Sequence, residues 1–291
     1  MYNKAHEVIK MAQEQNCRIS DIVIANECKL KECSREDVRS KVAEVLQVMK
    51  EAAQSGIDKE TTSMSGLIGG NAVKVDQYRR TKKTVCGDTV NRAIARALSA
   101  SEVNASMGRI AAMPTAGASG IVPAAVITAA ESIGADDEAM IDALLTASGI
   151  GQLIKKNATI SGAEGGCQAE CGAGAAMAAA AIVELYGGTV EMAFHAGAIA
   201  IKSILGLVCD PVAGLVEVPC AKRNATGVVN AMACADMALA GVKSAIPFDE
   251  VVDAMYKIGK SMPAALRETA MGGLATTPTG EAIRCRVMGK K

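Results

Sequence analysis

Three cysteines of this 291-residue sequence lie where glycine- or proline-containing loops meet predicted helices. Cys167 follows the loop "SGAEGG", Cys209 lies in "LVCDPVAG", and Cys220 follows a proline in "EVPCAKRNATG". The start of a helix carries partial positive charge and free N–H groups, which stabilise a thiolate or an anionic cluster. Thiolates are soft ligands that suit zinc and iron–sulfur clusters. The junctions therefore indicate a metal site, although free cysteine is also a common small buried residue, and that interpretation stays open.

The other cysteines carry weaker signals. Cys171 lies one helical turn after Cys167 and either faces the same way or packs beside Gly172 and Gly174. The two do not form a C-x-x-C motif, so a thioredoxin-like site has no support. Cys285, near the C-terminus, could fold back as a further ligand, but we interpret it as structural. The remaining five are interpreted as structural or surface thiols: Cys17, Cys28, Cys33, Cys86 and Cys234.

The candidates for a general base are few. General bases are often histidines, and the sequence has two. His6 lies on the charged N-terminal helix, and His195 lies on an apolar face in "VEMAFHAGAIAIK", where a satisfied core histidine is the more frequent role. Neither lies in a recognisable motif. Lys222, in the first turn of the helix that Cys220 opens, remains as an internal candidate for a catalytic base.

The elements that position these residues are predicted to be helices. Half of the residues are apolar, but 2% are aromatic and Trp is absent, so the core must consist of Ala, Val, Ile, Leu and Met. The stretch "SREDVRSKVAEVLQVMKEAAQSG" predicts a helix that Ser34 caps and Gly56 ends. In "PFDEVVDAMYKIG", Pro247 suits the first helical position. The best strand candidate, "GLVEVPC", is short.

We therefore predict a compact, all-α fold with many helices, whose glycine-rich loops converge on one site. Residues 1–60 are charged and helical in pattern and are predicted to form an N-terminal helical subregion. Residues 61–291 are predicted to form the catalytic domain, in one continuous unit with that subregion.

Composition and charge exclude several classes of protein. The formal net charge is zero, which argues against nucleic acid as the main partner. Ten irregularly spaced cysteines in a long chain do not resemble a secreted disulfide scaffold. The N-terminal stretch "MYNKAHEVIKMAQEQN" lacks the pattern of a signal peptide, so we expect a cytoplasmic protein. The uncharged run from Ile110 to Ala130 contains two prolines and two glycines, and it predicts a buried loop plus a helix rather than a membrane span.

Several long motifs in order carry a resemblance to a known family. They are "SGLIGGNAVK", "EVNASMGRIAAMPTAGASGIVPA", "NATISGAEGGCQAECG", "GLVCDPVAGLVEVPCAKRNA" and "ALRETAMGGLATTPTG". Over essentially its whole length the sequence resembles the alpha chain of the iron–sulfur-dependent bacterial L-serine dehydratases. Members of this family dehydrate and deaminate L-serine to pyruvate and ammonia, in amino acid degradation and gluconeogenesis.

The resemblance implies a cofactor and a partner. A 4Fe–4S cluster would be bound by Cys167, Cys209 and Cys220 and leave one iron free, which would act as a Lewis acid on the serine hydroxyl. A separate beta chain would complete the enzyme as a hetero-oligomer. The family's histidine motifs lie in that other chain or domain, so this subunit alone is predicted to lack part of the acid–base machinery.

The resemblance also implies where the substrate carboxylate binds. "SGLIGG" is similar to the family's carboxylate-holding loop, and glycines let backbone amides approach an anion closely. The alternative for each glycine is a tight turn. The candidate substrate-binding residues are Ser65, Gly66, Gly69, Gly70, Thr115, Gly117, Ser161 and Gly162.

Two other functions remain open on the residues alone. A cysteine desulfidase would expel sulfide by the same kind of elimination, and the resemblance favours serine over it. A non-catalytic subunit that binds zinc would need a fourth cysteine or histidine to close a tetrahedron. The three cysteines leave that position empty unless Cys171 or Cys285 turns in, and an open position favours catalysis.

Overall fold

A computed structural model of the protein describes residues 2–289. These residues form thirteen α-helices and no β-strand, which confirms the predicted all-α class. The helices are α1 (Ala5–Gln15), α2 (Ile19–Lys31), α3 (Arg35–Asp58), α4 (Asn71–Thr81), α5 (Gly87–Ala105), α6 (Ile121–Ile133), α7 (Asp137–Asn157), α8 (Gly162–Gly165), α9 (Cys167–Leu185), α10 (Val190–Lys202), α11 (Cys220–Leu239), α12 (Phe248–Ser261) and α13 (Pro278–Met288). Short 3₁₀ turns cover Val212–Gly214, Ala264–Leu266 and Gly273–Thr276.

Helix α9 is the centre of the molecule. It packs against α6, α7, α10 and α11, and from Cys167 to Val183 every residue except Glu170 is buried. Most of these residues are Ala or Gly, so the surrounding helices can approach its backbone closely. A helix that is apolar on all sides is expected to be buried, and here it sets the position of the cysteine at its first residue.

The N-terminal helices share the main core. Val8 of α1, Ile22 of α2 and Leu46 of α3 belong to the same buried apolar cluster as Ala178 of α9. The predicted division of the chain after residue 60 stays a prediction.

Helix α3 illustrates which local signals hold. Its N-terminus has the predicted cap, because the Ser34 hydroxyl accepts a hydrogen bond from the Asp37 amide at 3.1 Å. The predicted end at Gly56 is wrong, because α3 continues to Asp58. Gly56 instead lies where α3 crosses α5, and its amide donates to the Ser99 hydroxyl at 2.9 Å. Pro247 is shifted by one position from the prediction and directly precedes α12.

Two further expectations concern apolar stretches. The run from Ile110 to Ala130 forms a loop and then α6, as predicted, but the loop is buried only from Ala118 onwards. The suggested strand "GLVEVPC" is wrong, because residues 214–219 form successive turns, in which the Glu217 amide donates to the Leu215 carbonyl at 2.8 Å. Within residues 2–289, no helix is both long and apolar enough to cross a membrane.

A buried carboxyl joins α9 to α2. Glu184 accepts hydrogen bonds from the amides of Ile19, at 2.9 Å, and Ser20, at 3.4 Å, at the start of α2. Burial raises the pKa of Glu184, and hydrogen bonds from Ser20 and Thr146 oppose that rise. The net effect is a raised pKa, so the Glu184 carboxyl binds its proton more tightly in the folded protein than in the unfolded chain.

This carboxyl predicts a dependence of stability on pH. A raised pKa in the folded state stabilises the fold below the unfolded-state pKa, and that contribution is lost as pH rises through the folded-state value. We expect Glu184→Gln to flatten the decline in the free energy of unfolding above the usual glutamate pKa of 4.5, measured by urea denaturation across a pH series. Glu14→Gln, which changes an exposed carboxylate on α1, is the control. An unchanged slope in Glu184→Gln would contradict the expectation.

Candidate functional site

The structure brings the three predicted cysteine ligands into one group. Cys167 begins α9, Cys209 lies in the loop after α10, and Cys220 begins α11. Burial raises the pKa of Cys209 and of Cys220, the latter to about 12, and the nearby charge of Cys167 adds to both shifts. These mutual effects place the three sulfur atoms within electrostatic reach of one another. In the absence of a metal, Cys209 and Cys220 are therefore protonated at neutral pH, and a metal ion would have to displace those protons.

Cys171 lies against Cys167. Their sulfur atoms are 3.3 Å apart, and both side chains are buried. The hydrogen bond from Cys171 lowers the pKa of Cys167, and the charge of Arg223 contributes further. Cys171 itself has a raised pKa because of the same hydrogen bond and burial. Cys285 is exposed on α13.

An ion pair fastens the loop of Cys209 to α11. Arg223, three residues after Cys220, donates to the Val208 carbonyl at 2.7 Å and to the Asp210 carboxylate at 2.8 Å. The other oxygen of Asp210 accepts from the Leu274 amide at 2.8 Å. Asp210 is buried, so this pair is shielded from water. One guanidinium and one carboxylate thus connect the two cysteine segments to residues near the C-terminus.

The segment before α13 also holds Cys209 through its backbone. The Cys209 amide donates to the Leu266 carbonyl at 2.8 Å, and the Glu268 amide donates to the Cys209 carbonyl at 2.7 Å. The motif "ALRETAMGG" therefore forms one wall beside this cysteine.

Glycines leave room for a carboxyl group next to the thiols. A methyl group at Gly162 would lie 3.0 Å from the Cys209 sulfur and 3.3 Å from a carboxylate oxygen of Glu170, and one at Gly117 would lie 2.6 Å from the other oxygen. The Thr115 hydroxyl donates a short hydrogen bond to Glu170. Of the predicted substrate-binding residues, Thr115, Gly117 and Ser161, which precedes Gly162, are therefore grouped near the cysteines.

Glu170 is the main site residue that sequence reasoning missed. Burial raises the pKa of Glu170, the hydrogen bond from Thr115 lowers it, and the charge of Glu268 raises it further. A carboxyl with a raised pKa, in contact with a hydroxyl and close to thiols, is suited to hold a proton and to release it in a reaction. Its position one turn after Cys167, at the start of a helix, was a usable signal in "GGCQAEC".

The predicted carboxylate loop lies next to the turn that precedes Cys220. Ser65 donates to the Glu217 carboxylate at 2.7 Å, and Ser63 donates to the same oxygen at 2.5 Å. The Leu67 amide in turn donates to the Ser65 hydroxyl at 3.2 Å. Gly69 pairs with Thr62 across a two-residue bridge, while Gly66 and Gly70 have positive φ angles of 73° and 64°.

Glu217 therefore holds the loop of Ser65 against the segment of Cys220. We expect Glu217→Gln to raise the KM for L-serine about tenfold, because an amide accepts these two hydroxyl donors less strongly than a carboxylate does. We expect a smaller change in kcat. The control is Glu36→Gln, which changes an exposed carboxylate on α3. A KM equal to that of the unchanged protein would show that Glu217 does not position the loop.

The remaining candidates lie away from the thiols. Lys222 is exposed and lines a cavity of about 410 Å³ with Asn71 and Lys74 of α4, and its assignment as a base stays a prediction. His195 accepts from the Ser244 amide at 3.3 Å, and burial together with Lys243 lowers its pKa. His6 lies 3.4 Å from the Asp249 carboxylate at the surface. Both histidines thus have partners outside the cysteine group.

The side chains that could hold a metal at this site are the three thiols. Among residues 2–289, no three Cys, His, Asp or Glu side chains are close enough to bind one metal ion together. A cluster is several ångströms across, so its thiolate ligands stand farther apart than those of zinc. Three cysteines from three segments, two of them at the start of a helix, are the kind of ligand that iron–sulfur clusters use.

The fold and the site together define a class of protein. It is all-helical, and it groups thiols from three segments beside the carboxyl of Glu170 and the hydroxyl of Thr115. The family model for the serine dehydratase alpha chain matches residues 14–275, and the chain belongs to that family. The resemblance seen in the motifs is thus confirmed.

Individual relatives agree with the family assignment. The chain is 50% identical to the probable L-serine dehydratase, alpha chain, of Bacillus subtilis, over 99% of this chain and 96% of that protein. It is also 50% identical to the L-serine dehydratase, alpha chain, of Peptoniphilus asaccharolyticus, over 98% of this chain and 97% of that one. The L-serine dehydratase of Mycobacterium tuberculosis is 38% identical over 98% of this chain, but only 63% of that longer protein is matched.

Proposed function

We propose that this chain is the cluster-bearing alpha chain of an L-serine dehydratase that converts L-serine to pyruvate and ammonia. The observation that carries the proposal is the grouping of Cys167, Cys209 and Cys220 beside Glu170 and Thr115. Membership of the serine dehydratase alpha chain family and the printed names of its relatives support the choice of substrate.

The three cysteines would hold a 4Fe–4S cluster. When bound, such a cluster supplies an open iron whose Lewis acidity assists departure of the serine hydroxyl. The ion pair between Arg223 and Asp210 holds the segments of Cys209 and Cys220 together, so that both thiols can bind the cluster.

The chain's own residues bind the substrate and handle one proton. We assign binding of the substrate carboxylate to the Ser65–Gly70 loop and to the Ser161 hydroxyl. Thr115 acts through Glu170, to which its hydroxyl donates. Glu170 holds a proton that it can give to the departing hydroxyl group, so that water leaves. The aminoacrylate that remains tautomerises and is hydrolysed to pyruvate and ammonia.

A beta chain would complete the enzyme. Relatives of matching length are named alpha chains, which supports a separate partner, and neither histidine of this chain lies in the cysteine group. We assign removal of the Cα proton to histidines of that partner. The ten free thiols and a cluster that air destroys support a cytoplasmic enzyme.

The test is anaerobic purification followed by assay. We expect a brown protein that contains iron and sulfide and bleaches in air, and that forms pyruvate from L-serine only when the beta chain is present. L-cysteine is the competing substrate in a parallel assay. A colourless protein that contains zinc would refute the cluster, faster turnover of L-cysteine would favour a desulfidase, and full activity of this chain alone would refute the need for a partner.

A further inference from the structure

Exposed apolar side chains lie on loops that adjoin the segments of Cys209 and Cys220. Met107, Met64 and Met271 are 82%, 76% and 73% exposed, and of the large apolar side chains in residues 2–289 only Val85 is more exposed. Val216 and Met288 are exposed to a lesser degree. We call these five residues the methionine surface. Single exposed apolar residues are normal, so their contiguity decides whether the surface matters.

Backbone contacts connect the five residues into one band. The Met64 amide donates to the Ala105 carbonyl at 3.0 Å, which places Met64 beside the loop of Met107. The hydrogen bond from Ser65 to Glu217 joins the loop of Met64 to the turn that contains Val216.

The band continues beyond Val216. Ala213, three residues earlier, lines a depression of about 660 Å³ together with Met271 and Met288. The band thus extends from the end of α5, past the loop of Ser65, to α13.

The band lies on loops that belong to the candidate site or adjoin it. Met64 directly precedes Ser65, and Met271 lies three residues after Glu268, whose amide binds the Cys209 carbonyl. The same loops contain four non-glycine residues with positive φ, namely Met107 (65°), Ala213 (57°), Glu268 (64°) and Ala270 (55°). Such conformations are unfavourable for residues with a Cβ atom and concentrate at functional sites and ligand clamps. The four residues lie in the loops that carry the methionine surface, so the backbone of these loops is held in an unusual conformation.

We propose that the methionine surface is the docking surface for the beta chain. The inference rests on the proposed function, because it takes the beta chain as the source of the missing histidines. A partner that delivers a side chain to the cysteine group must contact the loops around that group, and these loops carry exposed apolar side chains that suit a protein interface. Methionine side chains are flexible and polarisable, and they adapt well to a partner surface.

The longer relative supports the choice of occupant. This chain matches 63% of the Mycobacterium tuberculosis dehydratase, so more than a third of that polypeptide has no counterpart here. In such a protein the additional segment is covalently linked to the part that matches this chain, so a small interface is enough to keep the two together. A separate beta chain has no such link and must bind through its contact surface with this chain.

The test measures binding of the separately purified beta chain to variants of this chain. We expect Met107→Asp combined with Met271→Asp to raise the Kd at least about tenfold, because each buried charge without a partner opposes docking. The matched control is Val242→Asp combined with Ile246→Asp, two exposed apolar residues beyond the far end of α11. Thermal denaturation of each variant shows whether it is folded.

A second measurement needs no variant. We expect added beta chain to slow amide hydrogen exchange in residues 104–109, 213–216 and 268–274 of the unchanged chain. Unchanged exchange there, or unchanged affinity in the double variant, would overturn the proposal. If the unchanged chain is a dimer by light scattering that Met107→Asp combined with Met271→Asp dissociates, the occupant is a second copy and the proposal is wrong.

The proposed function is judged by a separate readout. An alpha–beta complex that forms pyruvate yet binds through another face refutes only the docking surface. A complex that docks here but lacks activity on L-serine refutes only the proposed function. Failure of the unchanged chains to bind at all overturns the docking surface.

Discussion

Cys209→Ser is expected to lower the rate of pyruvate formation from L-serine about a thousandfold, because the loss of a Lewis acid removes several kcal/mol of transition-state stabilisation. The buried serine hydroxyl would not replace the thiolate as a ligand for iron. Iron and sulfide content and visible absorption should fall together with activity. Measurements on the complex with the beta chain, purified without oxygen, give both readouts from one sample.

The matched control for this prediction is Cys234→Ser. Cys234 is equally buried, lies on α11 like Cys220, and contacts Asn230 rather than the cysteine group. We expect this variant to keep its iron and its activity, with a modest loss of stability. If Cys209→Ser retains both the cluster and turnover, Cys209 is not a ligand.

Glu170→Gln is expected to lower kcat about a hundredfold while leaving the iron content unchanged. The amide keeps the shape and the contact with Thr115 but cannot release a proton, and general acid–base catalysis contributes about 10²- to 10⁴-fold. Because burial raises the pKa of Glu170, the acid form persists above the usual pH range of a glutamate. The kcat of the unchanged enzyme should therefore decline as pH rises through this raised pKa, and the variant should lack that limb.

Glu164→Gln is the control for Glu170→Gln. Glu164 is exposed on the neighbouring helix α8, and its replacement should leave kcat and the pH profile unchanged. If Glu170→Gln loses iron in proportion to its activity, the role of Glu170 is structural, and the assignment as a proton donor is wrong. A full rate with an unchanged pH profile would also contradict it.

Local patterns were enough to predict most helices. The cap at Ser34 and the apolar stripe of α3 depend on residues within a few turns, so the sequence alone shows them. Gly56 was misread because its role is a close crossing with Ser99, 43 residues away. The strand suggested by "GLVEVPC" failed for a related reason, since alternation favours a strand only when a neighbouring strand exists to pair with it.

The candidate site divides in the same way. Cys167, Cys209 and Cys220 were recognisable because each lies in or directly after a loop that contains glycine or proline, and the family resemblance singled them out. The structure confirms that Cys167 and Cys220 begin helices, whereas Cys209 lies within a loop. Glu170 and Asp210 were not, because an acidic residue in a helix or loop usually lies at the surface. Their importance comes from contacts with Thr115 and Arg223, which are 55 and 13 residues away in the chain. Such pairings depend on how the helices fold back on one another.

The alanine- and glycine-rich interior of α9 gives the protein an uneven tolerance to substitution. Truncating side chains there removes little volume, because the side chain of a residue such as Ala176 or Ala178 is a single methyl group. Enlargement is different, since extra methylene groups in a filled interior typically cost about 1–3 kcal/mol and displace the backbone. Cys167 and Glu170 sit on the first turn of this helix, so any such displacement moves the thiol and the carboxyl together. Random mutagenesis should therefore find α9 far more sensitive to a valine than to a glycine.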